Sequence, residues 1–469
     1  MTRLACAMAA LAVVAGCANA PDTARPEVAL PAQYSGVGAA GEGPAINPDW
    51  WTLYADTTLH RLVDAALKDN ADLALAVARI DETATVLGLA RAAQWPEIDL
   101  GATATRSRTS TLNGQQVSAS GPRATTYRAA LSTAFEIDLW GRLRNASLAA
   151  RAQLLGAQYA RDTVQLALAG STAQAYFAVR ALDTQLVIYE AALRSRRDSL
   201  ELVQRRAAGG VASPLELAQA RSALAAVAAQ RPELQRQRAL LQNQLGELTG
   251  QPGLVLAQAA GLGALPLPAA PPAGLPSELL ERRPDVQLAL QQLRAAQAQV
   301  EVARAALWPT LSLTGSLGGQ SADLADLLKS GARIWSIGPA LLLPLLDGGR
   351  NVARTEQARA QAQAVAIGYQ KAAQTAFRET ADALASAESG ARLEAEVEAQ
   401  RVAAAETLRI ATRRFEAGYS GYLEVLDAQR GAQDADLAFV RARQARLDAS
   451  VAVFKALGGG WKPAPDPAR

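Results

Sequence analysis

The side chains that ordinarily do covalent chemistry are scarce in this chain. Its 469 residues include one histidine, His60, and two cysteines, Cys6 and Cys17. So few candidates cannot easily assemble a zinc site, a Cys-His pair or a Ser-His-Asp triad, so no metal and no cofactor is expected and an enzyme ranks last. His60 stands between Leu59 and Arg61 at the start of a helical pattern, where a plain surface role suits it. The remaining chemistry is electrostatic. Glu424 and Asp427 stand three apart at the start of a helix and so share one face. Two acids in a first turn also simply suit the helix macrodipole. The formal net charge is only +3, with both signs interspersed, so nothing draws the chain toward nucleic acid.

A second reactive position lies near the N-terminus. Arg3 precedes an apolar stretch, Leu4 to Val14, which ends in Val14-Ala15-Gly16-Cys17. That stretch is too short to span a bilayer and has the layout of a secretory signal. Small residues directly before a cysteine resemble the lipobox of bacterial lipoproteins. The resemblance implies a signal peptide over 1–16 and a mature chain that starts at a lipidated Cys17; an ordinary signal cut elsewhere is the alternative. Ala18 follows, where an aspartate would tend to retain a lipoprotein in the inner membrane, so sorting to the outer membrane is implied. With Cys6 removed and Cys17 acylated, no disulfide remains possible. No other segment reaches ~18 uninterrupted apolar residues, so no transmembrane helix is expected.

The elements that must position the acidic pair come twice. Asp72 and Asp285, and likewise Trp95 and Trp308, are 213 residues apart; Arg142 and Arg350, Gly210 and Gly418, and Leu215-Glu216 and Leu423-Glu424 are 208 apart. Anchors in one order at nearly one spacing mark an internal duplication. Each half opens with a helix, 59–93 or 279–306, and reaches a Trp-Pro stop that favours extended structure. Two strands follow. Ile98, Leu100, Ala102 and Ala104 alternate with polar or small residues. In the return strand Tyr127, Ala129, Leu131, Thr133, Phe135, Ile137 and Leu139 share one face, and Arg128, Ser132, Glu136 and Asp138 the other. A polar loop, 112–116, lies between them. The second half has Leu311, Leu313 and Leu317, a loop from Gln320 to Lys329, and a return strand through Trp335, Ile337, Leu341, Leu343 and Leu345. A soluble sheet packed on helices would show the same alternation.

Helix length separates the two cases. Residues 141–210 and 349–418 carry good helix formers without proline, or ~100 Å of helix each at ~1.5 Å per residue. The helices 214–249 and 422–457 would each span ~54 Å. A short pair stacked end to end reaches as far as one long helix, which describes a thin cylinder wall and no globular core.

The motifs resemble one family: the TolC-like, OprM-like outer-membrane efflux proteins, and among them the lipoprotein, NodT-type factors. The matching pieces are the lipobox, Leu275-Pro276-Ser277 with Leu280 and Arg283-Pro284-Asp285-Val286, Trp308-Pro309, and Arg414-Phe415-Glu416-Ala417-Gly418 followed by Tyr422-Leu423-Glu424-Val425-Leu426-Asp427-Ala428-Gln429-Arg430. The resemblance implies a mainly α fold with a membrane β-barrel: a long coiled-coil tunnel in the periplasm, and four strands per chain contributing to a twelve-stranded barrel in a homotrimer. Four strands alone cannot close a barrel, so geometry also asks for several copies. It further implies an equatorial belt built from 17–58, 250–276 and 458–469 around the structural repeats 59–249 and 277–457. Trp95, Trp140 and Trp308 fall where strands would meet the periplasmic interface and Trp335 near the other end, as a girdle in contact with outer-membrane lipid requires; core residues at helix–strand junctions would lie there too.

By the same resemblance, Gly209, Gly210 and Pro214 in the first half and Gly418 and Leu423 in the second mark turns at the periplasmic tips, where a periplasmic adaptor (membrane fusion protein) docks onto 205–216 and 413–424. Glu424 and Asp427 would line the entrance as six carboxylates in a trimer, cation-selective and self-repelling. Glu216 and Gln219 occupy the matching places of the first half and contribute less. Some relatives hold the closed tip with an arginine where this chain has Ser420, and Phe415 replaces a frequent tyrosine, so this chain offers neither that guanidinium nor that hydroxyl. With no nucleotide motif, transport must be driven by an inner-membrane pump, by precedent of the resistance-nodulation-division type. The implied function is a passive duct for small molecules; a duct for type I protein secretion, a periplasmic lipoprotein adaptor and a coiled-coil scaffold are the alternatives.

Overall fold

Two residues, at matching places in the two halves, interrupt the runs 59–93 and 279–306; helices open at Asn70-Ala71-Asp72-Leu73 and Arg283-Pro284-Asp285-Val286, as those motifs also suggest in the sequence. The computed structural model describes residues 46–461 except 111, 113–121, 260 and 272–275, together with 25–29, 31 and 34. The expected signal peptide, Cys17 and most of the polar loop at 112–116 lie outside these residues.

The helix expected over 59–93 is two helices, α1 (Thr57–Asp69) and α2 (Ala71–Ala92). Asn70 between them has extended backbone, and its Oδ1 accepts from the amides of Asp72 (2.9 Å) and Leu73 (3.1 Å), capping α2. The helix expected over 279–306 likewise divides into α5 (Leu279–Arg282) and α6 (Pro284–Ala305). Arg283 precedes a proline, which excludes it from helical backbone and holds it extended at φ −101°, ψ 122°.

Each interrupting side chain ties the joint to the helix that closes its repeat. Asn70 Nδ2 donates to the Leu248 carbonyl (3.0 Å) at the end of α4 (Pro214–Leu248). Arg283 donates to the Ala456 carbonyl at the end of α8 (Tyr422–Ala456), and to Asp285 (2.6 Å) and Glu379 (2.7 Å). Glycines with positive φ let the chains meet: a Cβ on Gly250 would lie 2.4 Å from the Asp69 carbonyl oxygen, and one on Gly458 2.3 Å from that of Arg282. The duplication read from sequence is thus a duplication of one joint.

The long helices α3 (Arg142–Ala208) and α7 (Arg350–Glu416) have 67 residues each, ~100 Å, while α4 and α8 have 35 each. An aspartate just upstream caps both long helices. Asp138 accepts from the amides of Leu143 and Arg144, and Asp347 from those of Gly349 and Asn351.

Four strands form one antiparallel sheet in the order β1 (Glu97–Arg108), β2 (Arg123–Ile137), β3 (Thr310–Ser321) and β4 (Arg333–Leu342). β2 stops short of Leu139, and β4 short of Leu343 and Leu345: β4 ends at Leu342, opposite Thr310, where its partner β3 begins. β3 runs two residues, Gln320 and Ser321, into the expected loop.

The chain divides into two units. One holds the sheet with residues 79–157 and 288–370. The other holds 28–78, 158–287 and 371–461 of the described chain, and contains the main apolar core. There Trp50, Trp51 and Tyr54 pack with Tyr176 and Phe177 of α3, Leu245 of α4, Leu447, Val451 and Phe454 of α8, and Leu256, Leu262 and Leu265 of the segment after α4.

Candidate functional site

The sheet register sorts side chains by chemistry. Directly opposed residues share a face. One row reads Leu100, Leu131, Leu317, Trp335; the next Ile98, Thr133, Gly315, Ile337; and below them Phe135, Leu313, Pro339, then Ile137, Leu311, Leu341. The opposite face carries Asp99, Ser132, Ser316, Ser336, with Thr103, Arg128, Gln320 and Glu136, Ser312 two rows away on either side. Most of the apolar rows are exposed. Neither β1 nor β4 has a partner on its outer edge among the described residues. A continuous apolar face and two open edges are a liability in water and the raw material of a closed membrane sheet.

The four tryptophans flank this sheet. Trp95 precedes β1, Trp140 follows β2 and Trp308 precedes β3, so the three lie at one end; Trp335 lies near the other end of β4. Trp140 and Trp308 stack with ring centroids 5.0 Å apart, and the Trp140 indole donates to the Pro309 carbonyl at 2.7 Å. Trp95 and Trp335 are largely exposed.

In the other unit the hairpins α3–α4 and α7–α8 end in paired turns. α3 ends in a Schellman turn at Gly210, with φ +75° and the Val211 amide bonding to the Arg206 carbonyl at 2.9 Å. α7 ends in the same turn at Gly418, with φ +79° and the Tyr419 amide on the Arg414 carbonyl at 2.9 Å. Gly209 lies between α3 and its turn, and Pro214 starts α4 behind the cap Ser213. Val211 and Leu215 are 76% and 66% exposed; Tyr419 and Leu423, each 208 residues on, are 80% and 54% exposed. The two turns therefore present matching apolar pairs to solvent.

Arg206, which sequence reasoning passed over, and Glu216, to which it gave a lesser role, join the hairpins. Arg206 donates to the Phe415 carbonyl (2.9 Å) and lies over the Phe415 ring at 4.3 Å. Glu216, expected to contribute little, is spent on two helix starts. It forms a capping box with Ser213 (2.8 and 3.2 Å), and its other oxygen accepts from the Tyr422 amide at 3.4 Å. These backbone bonds hold its carboxyl below the usual range. The α8 start needs this help because its own cap, Gly421, has no side chain to offer. Ser213-Pro214-Leu215-Glu216 was a legible capping-box signal; nothing local marked Arg206. Behind them Val203, Ala220, Ala223, Phe415, Tyr422, Val425 and Leu426 form a small buried cluster.

Glu424 and Asp427 are both exposed on one face of α8, along a shallow groove shared with Ala404, Thr407 and Ala411 of α7. Arg414 approaches Glu424 to 3.9 Å in the open, a contact worth little in water. No group of three or more His, Cys, Asp or Glu side chains able to hold a metal occurs among the described residues.

Comparison with known proteins places this arrangement. The family model described as "Outer membrane efflux protein" matches residues 62–251 and 275–459. The chain is 35% identical over 453 residues to outer membrane protein OprJ of Pseudomonas aeruginosa, covering 95% of this chain and 93% of that one. It is 34% identical to the solvent efflux pump outer membrane protein SrpC of Pseudomonas putida, covering 97% of each. Among solved structures, the Campylobacter jejuni CmeC outer membrane channel superposes with a TM-score of 0.90 at 27% identity over 96% of each chain.

Proposed function

The chain belongs to the outer membrane efflux protein family, and from that premise we propose how it serves as the outer-membrane duct of an efflux pump. Three copies join β4 of one to β1 of the next, closing twelve strands into a barrel. The observation that carries this reading is the sheet itself: an exposed apolar face with both edges unpaired. Closure satisfies the edge amides and carbonyls, turns the apolar rows toward lipid and leaves Asp99, Ser132, Arg128 and Glu136 on the lumen side. Trp95, Trp140 and Trp308 at one end and Trp335 near the other then stand at the two interfaces.

Cys17 carries the lipid anchor in this reading. Eight residues later Arg25 donates to the Tyr369 hydroxyl on α7, and Gln370 donates to the Glu27 carbonyl, so residues 25–27 lie against that helix. The segments 17–58, 250–276 and 458–469 form a belt: support comes from Leu256, Leu262 and Leu265, which share a core with Trp50, and from Tyr34 stacked on Phe377.

The tips are the gate and the docking face for a periplasmic adaptor, which links the duct to an inner-membrane pump of the resistance-nodulation-division type. Matching exposed pairs on the two turns, Val211/Leu215 and Tyr419/Leu423, give an adaptor equivalent apolar footholds. Glu424 and Asp427 of three copies form an acidic ring at the entrance, and Arg206 and Glu216 hold the hairpins closed around it. Conductance of the purified protein in planar bilayers tests this. Small cation-selective steps that lose selectivity in Glu424→Ala/Asp427→Ala are expected; steps unchanged by the double substitution would place the constriction elsewhere.

A further inference from the structure

About three turns of α3 before the tip, Arg196 is 3% exposed. One of its terminal nitrogens donates to Gln429 Oε1 of α8, and Gln429 Nε2 donates to the hydroxyls of Ser195 (3.1 Å) and Ser199 (3.0 Å). Its Nε and the nearby Tyr422 hydroxyl are buried without a hydrogen-bond partner. No ion pair within 4.0 Å involves Arg196 among the described residues. The charged and titratable groups that face it are Tyr422 and Arg430, both on α8, and Arg430 is a like charge.

Other arginines of comparable burial differ. Arg283 meets Asp285 and Glu379, Arg238 meets Asp183, and Arg443 meets Glu394. A guanidinium taken out of water needs a counter-charge and filled donors to offset its desolvation. Arg196 has a neutral amide and an empty donor. The amide comes from the opposite hairpin, so the buried state of this charge exists only while the two hairpins stay together.

We propose that Arg196 is a positioning residue of the gate, whose uncompensated charge works against the closed arrangement of the two hairpins. Arg206 and Glu216 hold the tip shut at its rim, and Arg196 strains against them from behind. When the rim bonds yield, Gln429 leaves, water reaches the guanidinium, and the desolvation cost is released into opening. The closed tip is thereby kept near balance, so that a docking partner need supply only a small difference in binding energy to open it. This inference rests on the duct-and-gate reading above.

The test is single-channel recording of the purified full-length protein, wild type against Arg196→Met and Gln429→Glu. Arg196→Met keeps the volume and removes the charge, so open probability should fall about tenfold or more if the penalty is of the size usual for buried ions. Gln429→Glu supplies the missing counter-charge, so it should also close the tip at neutral pH. In that variant alone, relative to wild type at each pH, opening should return as acid protonates the new carboxylate. A merely structural role for Arg196 predicts the reverse: Arg196→Met would loosen the tip and raise open probability. Unchanged or raised open probability in both variants, with intact trimers, overturns the proposal. Should Arg196→Met fail to assemble, the pH profile of Gln429→Glu decides alone. Absence of steps from the wild type would overturn the duct reading and this inference together, an outcome distinct from wild-type steps with insensitive variants.

Discussion

Arg206 donates to the backbone carbonyl of Phe415 and covers its ring at 4.3 Å, so one side chain of the first repeat closes the last turn of the second. The carbonyl belongs to the helix C-terminus, where a cation is favoured by the macrodipole and by the orphan acceptors. Replacing Arg206 by alanine should cost about 2–4 kcal/mol, the sum of a charged hydrogen bond and a cation–π contact. We expect Arg206→Ala to raise the resting conductance of the reconstituted duct while leaving assembly of the oligomer intact. Arg206→Lys, which keeps the charge and loses the planar fork, should recover only part of the hold.

Glu216 should make the tip sensitive to acid. Its carboxylate accepts amides from Ser213 and Tyr422, which lowers its pKa below the free value of 4.5. A depressed folded pKa means that its stabilisation is complete above about the free value and is lost as pH falls through the lower, folded one. Conductance measured from pH 7 downward should therefore rise only below about pH 4.5 in wild type. Glu216→Gln should be leaky throughout and lack that inflection.

The sheet faces should respond oppositely to charge. Leu131 lies in the apolar row between Leu100 and Leu317, and Ser132 in the row between Asp99 and Ser316. An arginine at a lipid-facing midplane position costs about 2–4 kcal/mol, whereas lumen positions tolerate polarity. Leu131→Arg should sharply reduce folded protein in the outer membrane. Ser132→Arg should assemble normally and shift ion selectivity. Equal yields for both would remove the basis for a membrane barrel.

The joints can be tested with single methyl groups. Gly458→Ala and Gly250→Ala each place a Cβ within 2.4 Å of a carbonyl oxygen, at residues with φ +89° and +64°. Backbone oxygens cannot rotate aside as a side chain would, so both substitutions should destabilise by at least about 2 kcal/mol. Guanidinium unfolding should show this, and Gly253→Ala, where φ is also positive but nothing lies within 4 Å, should cost visibly less.

Asp448 offers a second pH effect of opposite sign. Burial raises its carboxyl to about 6. A raised folded pKa means that the protonated form favours the fold, so stability should decline as pH rises from about 4 through 6. Asp448→Asn should flatten that part of the stability profile.

How much of this was legible in the sequence follows from the range of each interaction. The duplication, the long helices, the alternating strands and the glycine-bounded tips are written in local periodicity and in positions that only glycine or proline serves, which a single chain carries openly. Asn70 and Arg283 were legible as helix starts, through an Asn cap and a pre-proline residue; that the preceding turns, 57–69 and 279–282, are separate helices was not, because those runs otherwise favour helix. Pairing of β2 with β3, which makes one sheet of two hairpins more than a hundred residues apart, was not visible in either hairpin alone. Nor were the bonds of Arg206 to Phe415, Glu216 to Tyr422 and Arg196 to Gln429. Their partners are separated by 206 residues or more, and no local pattern distinguishes a tip arginine that solvates from one that reaches across. The sequence by itself determined which segments are helix, strand and turn, because those are decided within a few residues. Only the tertiary structure decided which side chains hold the two repeats together, because that depends on where distant helices bring their ends.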